Sequence, residues 1–288
     1  MPEMTAAPKV FDRALVARHL RRRPPGHDDF VTRLVLADLD LRLATVTRSF
    51  EQAAILAPDA SVLPVAGRSA NGAFDFERIS TVLPVAGLPQ ADPEALDLPR
   101  RDYDLIVSLF DLDVVDDVPG FLARARAHLR GDGLFLAAAI GGDSLTELRE
   151  AFISADAEIG GGAFLRVAPF IPLSEAAGLL QRAGFALPVS DVEPHVVRYE
   201  SPLSLMRELK ALGASNPLAD KPHRMATLRL IRAASAAYER LAADADGRVR
   251  ATLEIVWMSG WAPHASQQKP LKPGSAQVSL AQVLGRPG

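Results

Sequence analysis

Hydrophobic and polar positions change rhythm along this chain, and the rhythm predicts the elements. Residues 11–47 mix Leu34, Leu36, Leu39, Leu41 and Leu43 with charges, and no proline lies between Pro25 and Pro58. This stretch reads as helical. Gln52–Leu56 reads as a strand. "YDLIVSLFDL", Tyr103–Leu112, is a continuous apolar run after a charged turn, the pattern of a parallel strand buried on both faces. In "DDVPGFLARARAHLRGDG", Phe121, Leu122, Ala125 and Leu129 sit at helical spacing, and Gly131 and Gly133 stop the helix. "LFLAAAIGG" is a second buried strand and "DSLTELREAFISADAEI" a second helix. Strand–helix–strand–helix predicts right-handed crossovers and a parallel sheet. Beyond it the pattern predicts a helix over 174–184, strands within 185–201 and helices over 202–213 and 221–243. A strong strand, "TLEIVWMSGWAPH", follows. The proline- and glycine-punctuated stretch 267–288 is expected to lie on the surface.

One segment breaks the alternation. "VLPVAG" occurs at 62–67 and again at 82–87. Two short copies fall below the three or more that a repeat architecture needs, and they read as edge segments interrupted by proline. Pro64 and Gly67 argue against a long helix after the first strand.

Composition narrows the classes. The chain has 288 residues, 48% hydrophobic and 23% charged, enough for one large domain or a domain with an inserted lobe. A net charge of −3 argues against nucleic acid as the main partner. With no cysteine, thiolate chemistry and disulfides are excluded, and the six histidines form no His-x-x-x-His pair, so no metal is expected. No apolar run reaches the roughly 20 residues of a membrane helix, and the first residues lack a basic-then-apolar layout. The expected location is cytoplasmic. "ARHLRRRPPG", Ala17–Gly26, is the one dense basic patch. It reads either as a solvated helix end stopped by Pro24-Pro25, or as a peripheral contact to anionic lipid or an acidic partner through Arg18–Arg23.

Candidate chemistry gathers at strand ends. In "GGDSLTELR", Gly141–Arg149, the glycines make a tight turn, with Gly142 expected at positive φ, and Ser144 with Glu147 form a capping-box pattern. The helix then starts at the carboxyl end of a parallel strand, where open α/β sheets bind ligands, and Asp143 and Arg149 are candidates to face one. The plainer reading is that Asp143 only caps the turn. Asp92 or Glu94 of "ADPEALDLP" has the chemistry to accept from an adenine amine or ribose hydroxyl, or is a solvated turn. Glu77, ending "FDFER", stands where dinucleotide folds place a ribose-binding carboxylate. Ser108, late in the Tyr103 strand, is a further candidate for the pocket wall. Trp257 and Trp261 share one strand face and read as core, and His264 lies just past that strand without an identifiable partner.

Together these stretches resemble the methyltransferase-fold assembly factor 5 family of respiratory complex I and its bacterial relatives, close to the malonyl-carrier-protein methyltransferase of biotin synthesis. The residues that carry the resemblance are "FDRAL" at 11–15, the run from Tyr103 to Arg149 with its "GGDSLTELR", "LKALGASN" at 209–216 and "GWAPHASQQKPLKPGSAQVSL" from Gly260. The resemblance implies a class I SAM-methyltransferase (Rossmann-like) α/β fold: a seven-stranded, mostly parallel sheet with its last strand antiparallel, plus a helical insertion. The boundaries it suggests are an N-terminal helical segment 1–47, an α/β domain 48–266 with a helical lobe about 196–245, and a tail 267–288. It further implies S-adenosylmethionine (SAM) as cofactor, a respiratory-complex subunit as protein partner, and arginine hydroxylation or methyl transfer as activity.

The family's first strand leads into a glycine-rich loop. Here "AAILAPDAS", 53–61, has Ala57, Asp59 and Ser61 where the resemblance expects glycines, and Asp113-Val114 where it expects His-Trp. The expectation is therefore a degenerate SAM loop and a non-methylating assembly or protein-modifying factor. The alternatives are an active methyltransferase and an arginine hydroxylase. The cofactor contacts left as candidates are Glu77, Asp92, Glu94, Ser108 and Asp143. The cleft is expected to be narrowed and partly plugged by residues 57–66, with Glu77, Asp92 and Asp113 at its rim.

Overall fold

The computed structural model describes residues 9–160, 162, 164–220 and 226–268. Two helices come first, α1 (Arg13–Arg21) and α2 (Phe30–Thr45), each started by an aspartate. Asp12 accepts from the Leu15 amide and Asp29 from the Thr32 amide, satisfying donors left open in a first helical turn. Pro24, Pro25 and Gly26, the last at φ 73°, separate them. The sheet follows: β1 (Ala53–Ala57), β2 (Ala66–Ser69), β3 (Gly72–Ser80), β4 (Tyr103–Leu109) and β5 (Leu129–Ile140), with α3 (Val118–His128) between β4 and β5. Then come α4 (Thr146–Gly160), α5 (Leu173–Arg182), β6 (Ala186–Tyr199), α6 (Pro202–Ala211), α7 (Leu228–Ala242) and β7 (Val249–Trp261).

The seven strands lie in the order β2-β3-β1-β4-β5-β7-β6. β3, β1, β4 and β5 are mutually parallel, and β7 runs antiparallel between β5 and β6. This is the class I methyltransferase fold, with the last strand reversed as expected. The edge strand β2 is also reversed, as half of a hairpin with β3. Pro64 and Gly67 indeed leave no long helix after β1; a short 3-10 turn at Ala60–Val62 and the hairpin occupy that stretch. The second "VLPVAG" copy lies in a turn, so the two copies do different work.

The central strands are buried on both faces because alternate residues feed two cores. Ala54, Leu56, Ile106, Phe135 and Ala137 pack with α3 and α5, while Ile55, Leu105, Val107, Leu134 and Leu136 pack with α2. A continuous apolar run is what such a strand requires. Trp257 and Trp261 belong to the α2 side, with the Arg42 guanidinium 4.6 Å above Trp257 and that of Arg48 5.4 Å above Trp261. A third core joins α4, α6 and α7 to the start of β7 through Leu148, Phe152, Leu205, Leu230 and Tyr238. The stretch 269–288 lies outside the described residues, as do 221–225, where the last predicted helix was placed to begin. No helix among the described residues is long and apolar enough to cross a membrane.

Candidate functional site

Strand order reverses direction at β1, with β3 on one side and β4 on the other. The crevice outside the carboxyl ends of these strands is where open α/β sheets bind ligands. Three segments build it here: Pro58 and Asp59 after β1, Thr81 and Val82 after β3, and Phe110–Val114 after β4.

The β4 segment carries two acids, Asp111 fully buried and Asp113 half-buried at the cavity wall. Phe110 takes a left-handed conformation (φ 66°), unusual for a residue with a side chain, and turns the chain into a 3-10 turn at Asp111–Asp113. Asp111 is fully buried and accepts from the Thr81 hydroxyl at 2.5 Å and from Ser108 at 2.6 Å. Burial raises its pKa to about 6, against those two hydrogen bonds, which lower it. Asp113 receives the Ile140 amide on both oxygens, at 3.1 and 3.2 Å. Burial, with the nearby Asp111 charge adding to it, raises its pKa well above the usual carboxylate range. Ser108 is thus spent on Asp111, inside the sheet rather than in a pocket wall.

Helix α1 crosses the same edge. Val16 and Ala17 pack against Val82 and Val114, with Leu20 beside them. Before them, Arg13 pairs with Glu94 at 2.9 Å and lies 3.5 Å from Asp92. Glu94 also accepts the amides of Asp116 and Asp117, and Asp92 caps its own short turn through the Glu94 amide. After them, Arg23 closes on Asp59, which also accepts the amide and hydroxyl of Ser61. Asp92, Glu94 and Asp59 are each held by an arginine of the N-terminal segment.

The remaining candidates lie elsewhere. Glu77 faces Ala54 across the sheet, before the carboxyl ends, and accepts from Tyr103 at 2.5 Å. Asp143 is exposed, its amide given to Glu254 at 3.1 Å. The expected capping box does not form: Ser144 and Glu147 bond to β7 instead, Ser144 with the Glu254 backbone and Glu147 with Thr252 at 2.6 Å. The turn's left-handed residue is Leu145 (φ 55°), not Gly142. His264 lies at the opposite edge, because β7 runs antiparallel; its ring covers Gly131 and meets Ser266 at 2.7 Å.

The narrowed cleft expected from the substituted loop is not what forms. A cavity of about 750 Å³ opens between the sheet edge, the two N-terminal helices and the α4–α6–α7 layer. Residues 58, 59, 62 and 63 form part of its wall rather than a plug, beside Phe110, Asp113 and Ile140 on the sheet and Leu148, Phe152, Leu205, Met206 and Leu209 on the helices. Neither Asp92, Ser108 nor Asp143 lines it. Sequence patterns named Asp113 as a departure from a family motif and placed it at the cleft rim with Glu77 and Asp92; of the three only Asp113 lines the cavity. Its companion Asp111 was missed, although an acid inside an apolar strand end is itself a signal.

No family model matches the chain. It is 35% identical over 193 residues to the arginine-hydroxylase NDUFAF5, mitochondrial, of Danio rerio, covering 67% of this chain and 60% of that protein. It is 36% identical over 184 residues to the malonyl-[acyl-carrier protein] O-methyltransferase of Laribacter hongkongensis, covering 64% of this chain and 59% of that one. The chain thus spans less than two thirds of the length of these relatives. Among solved structures, the YcgJ protein of Bacillus subtilis aligns with a TM-score of 0.49 at 14% identity, covering 81% of this chain and 99% of that one.

Proposed function

We propose that this chain, a relative of the NDUFAF5-like proteins and of the malonyl-carrier O-methyltransferases, is a non-methylating assembly or protein-modifying factor. Its own N-terminal helix covers part of the crevice where SAM would lie, while a cavity stays open beside Asp113. The observation that carries the reading is the three-point closure by α1 and the residues after it: Arg13 on Asp92 and Glu94, Val16 and Ala17 on Val82 and Val114, and Arg23 on Asp59. The loop after β1 supports it. Gly67 is the first glycine after β1, and Asp59 puts a carboxylate where close backbone approach to a ligand calls for glycine. Of the acids with the chemistry to recognise an adenosine, Glu94 is engaged by Arg13 and two amides and Asp92 lies beside the same arginine. These residues do not fit SAM. The partner that the relationship suggests is a subunit of a respiratory complex, as the resemblance implies.

Isothermal titration of the full chain with SAM tests the reading. The expected affinity is weaker than about 100 μM. A low-micromolar dissociation constant, or SAM carried through purification, would overturn it in favour of an active methyltransferase. The open cavity beside Asp113 is the feature that favours this second reading.

A further inference from the structure

The cavity's wall is largely apolar, and among the described residues its charges are compensated with one exception. Arg23 is engaged by Asp59, with Asp29 3.8 Å away. Arg166 makes a two-pronged contact to Asp156, at 2.7 Å on both oxygens. Asp113 takes the Ile140 amide, and its burial favours the neutral acid. Lys210 is different: it lines the cavity, is exposed, and has no ionic partner among the described residues. The nearby Glu208 contacts His27 at 3.4 Å instead. Lys210 follows Met206 by one helical turn on α6, so it belongs to the helix face that also presents Leu205 and Leu209 to the cavity.

We propose that the cavity binds a single-chain amphiphile with an anionic head, a fatty carboxylate, whose tail lies along the apolar wall and whose head meets Lys210. A compact polar ligand would lose its hydration against a wall that offers few uncommitted partners, which is costly. A purely apolar ligand would leave Lys210 without an ionic partner. A fatty carboxylate satisfies both, and the volume falls in the range of small-molecule sites. The inference rests on the reading that SAM does not fill this cavity, because Val16, Arg23, Asp59 and Val114 line it together with Lys210; the SAM titration above separates the two.

Titration of the full chain with dodecanoate, dodecan-1-ol and dodecyltrimethylammonium, each below its micelle-forming concentration, tests the proposal. Dodecanoate is expected to bind most tightly. Lys210→Gln is expected to weaken dodecanoate about fivefold and leave the alcohol unchanged. Met206→Trp, or Leu209→Phe if that variant does not fold, is expected to weaken both by filling the cavity. Absence of dodecanoate binding, equal affinity for the alcohol, indifference to Lys210→Gln, or unchanged binding in the filled variant would each overturn it. The last outcome would mean that the amphiphile adsorbs elsewhere on the surface.

Discussion

The guanidinium of Arg23 meets the carboxylate of Asp59, joining the segment after α1 to the turn after β1 across 36 positions of sequence. Asp59 is almost fully buried, and its other oxygen takes both the amide and the hydroxyl of Ser61, so the carboxylate organises the turn as well as the ion pair. Burial lowers the Arg23 pKa, with the Asp29 charge working against it, which marks the guanidinium as partly desolvated. Removing one member of such a pair leaves the other without compensation.

Asp59→Ala is therefore expected to destabilise the chain by about 2–4 kcal/mol, read from denaturant unfolding. The double variant Arg23→Met/Asp59→Leu should lose less than the sum of the single changes. Additive losses would mean that the two side chains do not depend on each other.

The neighbouring arginines should behave differently. Arg21 and Arg22 are exposed and have no ionic partner among the described residues, whereas Arg23 is turned inward. Arg21→Glu and Arg22→Glu are expected to shift stability by less than about 0.5 kcal/mol, and Arg23→Glu by clearly more. Equal melting temperatures for the three variants would count against the inward position of Arg23. Any surface role of the basic patch thus falls to Arg18, Arg21 and Arg22.

The two acids after β4 set a pH dependence. The Asp111 pKa lies near 6 in the fold against an ordinary 3.8. An acid held protonated by the fold contributes stability fully below its ordinary pKa, and that contribution is lost as pH rises through about 6. Asp113 is shifted in the same direction by the same cause. The wild type should therefore lose stability relative to Asp111→Asn between about pH 4 and pH 6.5. A difference that stays flat across that interval would show that Asp111 is ionised in the fold throughout.

The glycine turn after β5 offers a steric test. A Cβ at Gly141 would come within 2.6 Å of the Glu254 Cβ, and Glu254 is the residue that receives the Asp143 amide. At Gly142 the nearest atom would be the Pro172 Cα, at 3.2 Å. Gly141→Ala is expected to cost about 1–3 kcal/mol and Gly142→Ala less, measured by thermal unfolding. The reverse order would contradict this geometry.

What the sequence determined by itself is the local grammar of the sheet. The apolar run from Tyr103, the helical spacing of Phe121, Leu122 and Ala125, and the run into Ile140 each report burial on two faces or one. That periodicity is a property of neighbouring residues, so the β4–α3–β5–α4 succession and the polarity of the sheet were legible. Proline and glycine after β1 were equally local and correctly argued against a helix there. The tertiary structure alone decided which distant groups meet. Ser144 and Glu147 have the spacing of a capping box, yet β7 presents Thr252 and Glu254 within reach, and those partners win because they also fasten α4 to the sheet. Glu77 looked like a strand-end acid, but β3 continues past it to Ser80, so register places it beside Tyr103. In sequence Asp59 stands out only as a replaced glycine, Arg23 as part of a basic patch and Val82 as the start of a repeated segment, with nothing to pair the first two or to join Val82 to Val16. Their meeting depends on where α1 comes to rest across the strand ends, a position set by packing between segments that no local period records.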